Sequence, residues 1–139
     1  MITYARAIAL TLAGFTISTF SQVLGGIDIL LQTLIMFMAI DFASGWLCAA
    51  VFKCSNKTST GRLSSTAGFK GLVKKVAGLM IVIVAVYLDA LLGTNNLTRN
   101  AAIAALSLNE LLSIMENMGQ MGIKMPEPIV NAIEMLGKR

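Results

Sequence analysis

Residues Ile29–Phe52 read ILLQTLIMFMAIDFASGWLCAAVF, a run of 24 residues with a single charge, Asp41. As a helix at ~1.5 Å per residue it covers roughly 36 Å, enough to cross a hydrocarbon core of about 30 Å. Its flanks strengthen that reading. Downstream, Lys53–Lys75 holds Lys53, Lys57, Arg62, Lys70, Lys74 and Lys75 with no acid. Cytoplasmic loops carry such Lys/Arg excess, so 53–75 is expected to be a basic cytoplasmic loop. Its Ser, Thr, Gly and Asn content makes at least the first half a loop. Upstream, Gly25-Gly26 marks a tight turn near the end of the charge-free stretch Ala7–Ile27. Those 21 residues exceed the apolar core of a signal peptide, and a second apolar run follows at once, so 7–27 reads as a retained first span. Beyond the basic stretch, 76–98 is again apolar with one charge, Asp89.

The composition of all 139 residues agrees: 56% are apolar and 13% charged, and the mean hydropathy is +0.78. That leaves too little polar surface for a soluble domain. A soluble enzyme, a disordered chain and a uniformly basic nucleic-acid module are therefore disfavoured, and Phe69 is the one aromatic in the basic stretch available for base stacking. The chain has no histidine, so His metal sites and His general bases are excluded. Cys48 and Cys54 fit neither a CxxC nor a zinc spacing and read as packing residues or free thiols. No catalytic residues, metal ligands or cofactor are expected.

A fourth segment, about 100–118, is interrupted by polar residues. Asn109, Ser113, Glu116, Asn117 and Gln120 recur at spacings of three and four, which places them on one helical face opposite Leu108, Leu111, Leu112, Met115 and Met118. It either spans as part of a bundle or lies in the interface. The expected architecture is thus one all-α, membrane-embedded domain over 1–139, with three to four transmembrane helices at about 7–27, 29–52, 76–98 and possibly 100–118. The N-terminus with Arg6 is then cytoplasmic. A fourth span would return Lys124, Lys138 and Arg139 to the same side.

Three groups of residues are candidates for function. In the first segment, Thr11, Gly14, Ser18, Ser21, Gln22 and Gly25 share one face, opposite a stripe of Ala5, Ala9 and Ala13. The polar face could line a pore in an assembly, or both stripes could be helix contacts within one subunit. Asp41 and Asp89 sit inside apolar runs, where a carboxylate costs about 2.5–3.5 kcal/mol on insertion scales and so calls for a reason. They fit contacts between helices, a satisfied bond to a neighbour such as Ser44, or a proton-exchange site. The same logic applies to Glu110 and Glu116. The basic residues either fix orientation or attract anionic head groups.

These residues, in this order, resemble a known family. Asp41-x-x-x-Gly45 precedes the basic loop and Leu63-Ser64-Ser65-x-x-Gly68-x-x-Gly71-Leu72-x-x-Lys75. Leu88-Asp89, Arg99, Glu110-x-x-Ser113-Ile114-x-Glu116-Asn117, Gly122 and Pro126 follow. The set is similar to the phage-lysis and toxin-secretion holin family, which includes holin-like proteins of clostridial toxin loci. The 52–63 loop is longer than usual, and Lys124-Met125 stands where the family tends to have a proline. The resemblance implies a non-enzymatic protein that associates with itself in the bacterial cytoplasmic membrane and opens lesions, with a lysin or toxin as cargo. Two other classes stay open: a small proton-coupled transporter using Asp41 or Asp89, and a holin antagonist or regulator.

Overall fold

The computed structural model describes residues 2–137, all of whose regular elements are helices. Helix α1 is Ile2–Val23 and α2 is Ile29–Leu47, prolonged by a π-helical turn at Cys48–Phe52. Then come α3 (Ser65–Leu92), α4 (Leu97–Gln120) and α5 (Glu127–Gly137). Lys138 and Arg139, expected on the cytoplasmic side, lie outside the described residues.

The ends of these helices follow from local chemistry. Asp28 caps α2 by accepting the Leu31 amide at 2.9 Å, and Ser64 caps α3 through the Ala67 amide at 3.4 Å. The π-turn ends at Lys53, whose φ of 53° is left-handed. Gly93 ends α3 at φ 66°, and Asn95 and Asn96 continue the left-handed turn at φ 55° and 67°. Pro126 and Pro128 flank the first residue of α5, where a missing amide hydrogen matters least.

The structure moves several of the expected boundaries. The basic stretch is irregular only as far as Ser64; Lys70, Lys74 and Lys75 ride on α3, because the Ser64 cap starts the helix there and Gly68 and Gly71 do not interrupt it. The third segment accordingly begins at Ser65 rather than 76 and ends at Leu92 rather than 98, where the Gly93–Asn96 turn reverses the chain. Two helices among the described residues are long and apolar enough to cross a membrane, Ile29–Phe52 and Ser65–Leu92. Helices α1 and α4 are long but more polar. Arg99, Glu110 and Glu116 punctuate α4.

Helix α4 is the centre of the bundle. It packs along α2 and α3, while α2 and α3 touch each other little. The amphipathic fourth segment therefore lies against the other helices rather than apart from them. Leu24, Leu31, Leu34, Met38, Val82 and Ile103 form a dry middle layer, with Leu79, Ile83 and Leu106 around it. Gly78 lets the bundle close there, since a Cβ on it would already meet Leu106 and Met38 at 3.4 and 3.5 Å. The outward faces are apolar: Ile35, Met36, Ile40, Ile81, Val84, Leu91 and many others are exposed. Such a surface far exceeds what a soluble monomer tolerates.

Helix α1 stands apart. Every residue from Thr3 to Phe20 is exposed, on the alanine stripe and the Thr/Ser/Gln face alike. From Thr3 to Phe20 neither stripe is covered by another helix of the same chain; of the two stripes, Gly25 at the end of the polar face is the member that lies against one, beside Arg99. Only the end of α1 joins the bundle, through buried Leu24 and the turn that follows it.

Candidate functional site

The polar residues of the bundle gather in two layers, one at each end of the dry core. The first forms around Arg99 in the opening turn of α4. Its side chain is 1% exposed, yet every N–H has an acceptor. Nε donates to the Leu24 carbonyl at 2.7 Å. Nη1 donates to Asp28 Oδ2 at 2.7 Å and Asn100 Oδ1 at 3.2 Å. Nη2 donates to the Gly26 carbonyl at 2.9 Å and Asp28 Oδ1 at 3.2 Å. The planar fork thus grips the α1–α2 turn and pairs with Asp28 in two places, a geometry that lysine cannot reproduce. Gly25 makes room for it, at φ 77°; a Cβ there would come within 2.8 Å of Nε. The Arg99 guanidinium in turn holds the Asp28 carboxyl below the usual carboxylate range.

Asp89 completes this layer from the last turn of α3. One oxygen accepts the Thr94 hydroxyl and the Thr98 amide (2.9 Å), and the other accepts the Arg99 amide at 2.8 Å. Asn96, at the N-cap position of α4, makes no side-chain capping bond. Asp89 therefore caps α4 from a neighbouring helix, placing negative charge on the amides that need it. This is a bond inside one chain, and it occupies both oxygens.

The second layer lies about three helical turns further along α4. Lys75 Nζ donates to Asp41 Oδ2 at 2.7 Å and to Glu110 Oε2 in a very short contact. Asn117 Nδ2 donates to Asp41 Oδ1 at 3.1 Å and to Ser44 Oγ at 2.9 Å, while Ser44 Oγ donates to the Asp41 carbonyl at 3.0 Å. Lys57 reaches in from the loop to Ser113 Oγ at 3.4 Å. Two carboxylates flank one half-buried ammonium, with a second cation nearby. Next to this layer, at the start of the π-turn, Cys48 and Cys54 lie with their sulfurs 2.6 Å apart, and Cys48 Sγ donates to Gln120 Oε1 at 3.3 Å.

Of the residues singled out from sequence, Asp41, Glu110 and Lys75 converge, together with Ser44. Asp89 lies in the opposite layer. Glu116 is exposed on α4 and shares no bond with them. Thr11, Gly14, Ser18 and Gln22 lie exposed along α1, and Ser21 is half-buried. Lys53, Arg62, Lys70 and Lys74 are exposed around the loop and the start of α3. Arg99 stands in the family pattern without an assigned role, and no motif marks Asp28. A lone cation and a lone acid flanking otherwise uncharged turns were the available signal. Among the described residues no cluster of three or more Cys, Asp or Glu side chains could hold a metal ion.

A helical bundle that is apolar outside and charged inside, with two helices long enough to cross a bilayer, is a small membrane protein. Its sequence places it more closely: the chain belongs to the bacteriophage holin family, whose profile matches residues 18–138. A probable holin of Bacillus phage phi105 is 29% identical over 106 residues, 76% of this chain and 73% of that protein. An uncharacterized protein of Listeria innocua is 40% identical over 116 residues, 84% of this chain and 77% of its own length. A Clostridium perfringens protein described as an uncharacterized 14.9 kDa protein in the nagH 3′ region is 32% identical over 121 residues, 86% of each chain. No solved structure matches. The family match takes in both charged layers and omits most of α1.

Proposed function

We propose that this protein is a holin: it oligomerises in the bacterial cytoplasmic membrane and opens lesions that release a cell-wall lysin, or a toxin, and so permit lysis. The observation that carries this reading is the inverted bundle, apolar outside and charged inside, within a chain of the holin family. Helices α1, α2, α3 and α4 would all span, with the N-terminus and the basic loop in the cytoplasm. Lys53, Lys57, Arg62, Lys70, Lys74, Lys75 and Lys124 then share the cytoplasmic end, as the positive-inside rule favours. Arg99 falls at the other end, where Asp28 neutralises it.

The main partner is the protein itself, within lipid; the cargo passes without stable binding, and neither nucleic acid nor catalysis enters. Helix α1 has both faces free for association. Copies gather through it, and at high density the Thr11, Gly14, Ser18, Ser21 and Gln22 face turns toward water. Inducing the protein in a bacterium should collapse the membrane potential abruptly and release a cytoplasmic reporter enzyme. A culture that keeps its potential and viability overturns the proposal. Cysteines placed at Ser18 and Gln22 should react with a water-soluble thiol reagent only after the membrane leaks; protection throughout refutes the lining face.

A further inference from the structure

Helices α2 and α3 splay apart at the basic end, and the gap between them is a slot of about 90 Å³. Phe42, Trp46 and Ala49 of α2 and Gly68 and Gly71 of α3 line it, and the Asp41 carboxylate borders it too, already neutralised by Lys75 at 2.7 Å. A Cβ on Gly68 or on Gly71 would meet nothing within 4 Å, so no protein atom fills this space. The slot adjoins a wider, polar recess of about 310 Å³, lined by Lys57, Ser59, Thr60, Thr66 and Lys70. Lys57, Thr58, Ser64 and Ala67 border both. Lys70 is exposed, and the whole stretch 53–75 contains no acid to pair with it.

An apolar slot that ends in a cationic, hydroxyl-rich recess has the shape and polarity of one amphiphile. We infer that it is a binding site for an anionic phospholipid, with the phosphate among Lys57, Lys70 and the hydroxyls and an acyl chain in the glycine-floored slot. An unfilled apolar gap forgoes dispersion contacts on every wall, so in a bilayer something occupies it. A second copy's α1 fits less well: it has no Asp or Glu to meet the lysines. The inference rests on α2 and α3 lying in a membrane and is independent of lesion formation.

Trp46, the single tryptophan of the chain, reports on the slot directly. The protein is reconstituted, one copy per disc, in phosphatidylcholine nanodiscs containing a small fraction of brominated-chain phosphatidylglycerol or, in parallel, brominated-chain phosphatidylcholine. The anionic lipid should quench Trp46 at the lower mole fraction. Lys57→Gln and Lys70→Gln should each reduce that preference about fivefold, as the loss of one cation near a phosphate implies. Gly71→Leu fills the slot with a better helix former and should remove the excess quenching while the fold persists. Equal quenching by the two lipids, or a preference that survives both lysine changes, overturns the site. So does a preference abolished by millimolar inorganic phosphate, which would reduce it to a free-anion recess. Excess quenching lost when two copies share a disc would put a second chain in the slot and overturn it as well. Absence of quenching by either lipid would remove α2 from the bilayer, and with it the membrane placement itself.

Discussion

The two charged layers solve the same problem in different ways. Around Arg99, acceptors are mostly fixed: two backbone carbonyls and a carboxylate whose own position is set by capping α2. Around Lys75 the partners are all side chains, and acid exceeds base unless Lys57 is counted. An arginine satisfied by backbone ties loops together and leaves little freedom. An ammonium shared between two carboxylates can change partners without refolding the chain. The first layer is a fastening to backbone; in the second, the ammonium is held by side-chain partners alone.

The sharpest way to break this contrast is Arg99→Ala, which empties a buried site and leaves the Leu24 carbonyl without its donor; because Asp28 is 44% exposed and can rehydrate, the cost should be about 2–4 kcal/mol. Arg99→Lys should be nearly as damaging, because an ammonium cannot form the fork. Thermal or denaturant unfolding in detergent micelles measures both. Lys75→Met comes next, at about 2–3 kcal/mol, from two carboxylates left facing each other. Adding Asp41→Asn and Glu110→Gln should restore more than half of that loss, whereas Asp28→Asn should not rescue Arg99→Ala; equal rescue in both layers would erase the distinction.

Gly25→Ala should cost about 2 kcal/mol, from a left-handed residue given a side chain. The new methyl also presses on the guanidinium. Gly93→Ala shares the left-handed conformation but meets nothing, so the difference between the two isolates the contact with Arg99. The smallest effect is that of acid. Because Arg99 lowers the Asp28 pKa, the stabilisation from this pair is present above the usual carboxylate range and is lost as pH falls through the lowered value. The protection factor of the Leu31 amide, its exchange rate taken relative to that of an unstructured amide at the same pH, should fall under acid in the native chain, and Asp28→Asn should flatten that dependence.

Much of this was written in the sequence. The apolar length of 29–52 and the cation run after it announced the second helix and its exit. Helical spacing put Asn109, Ser113, Glu116, Asn117 and Gln120 on one face; Ser113, Asn117 and Gln120 bond to α2 or to the residues that follow it, whereas Asn109 and Glu116 are exposed. Which partner each acid takes was not legible. Asp41 and Asp89 look alike in sequence, each alone in an apolar run, yet one faces an ammonium and the other caps a helix ten residues ahead. That difference depends on where α3 stops, and Gly93 with two left-handed asparagines sets the stop. The third helix began early because Ser64 is a good cap, a signal masked by the surrounding lysines. The 53–75 stretch combined a true loop with about three turns of helix, since glycine and lysine are common to both.

The isolation of α1 has a consequence for how such chains diversify. The bundle's stability is vested in residues from Leu24 onward, so the preceding helix answers to whatever surrounds it and hardly at all to its own subunit. Its residues from Thr3 to Phe20 are therefore constrained by lipid and by neighbouring copies rather than by the charged scaffold behind it. A lineage of these proteins could retune its behaviour by rewriting twenty residues and leaving the rest untouched.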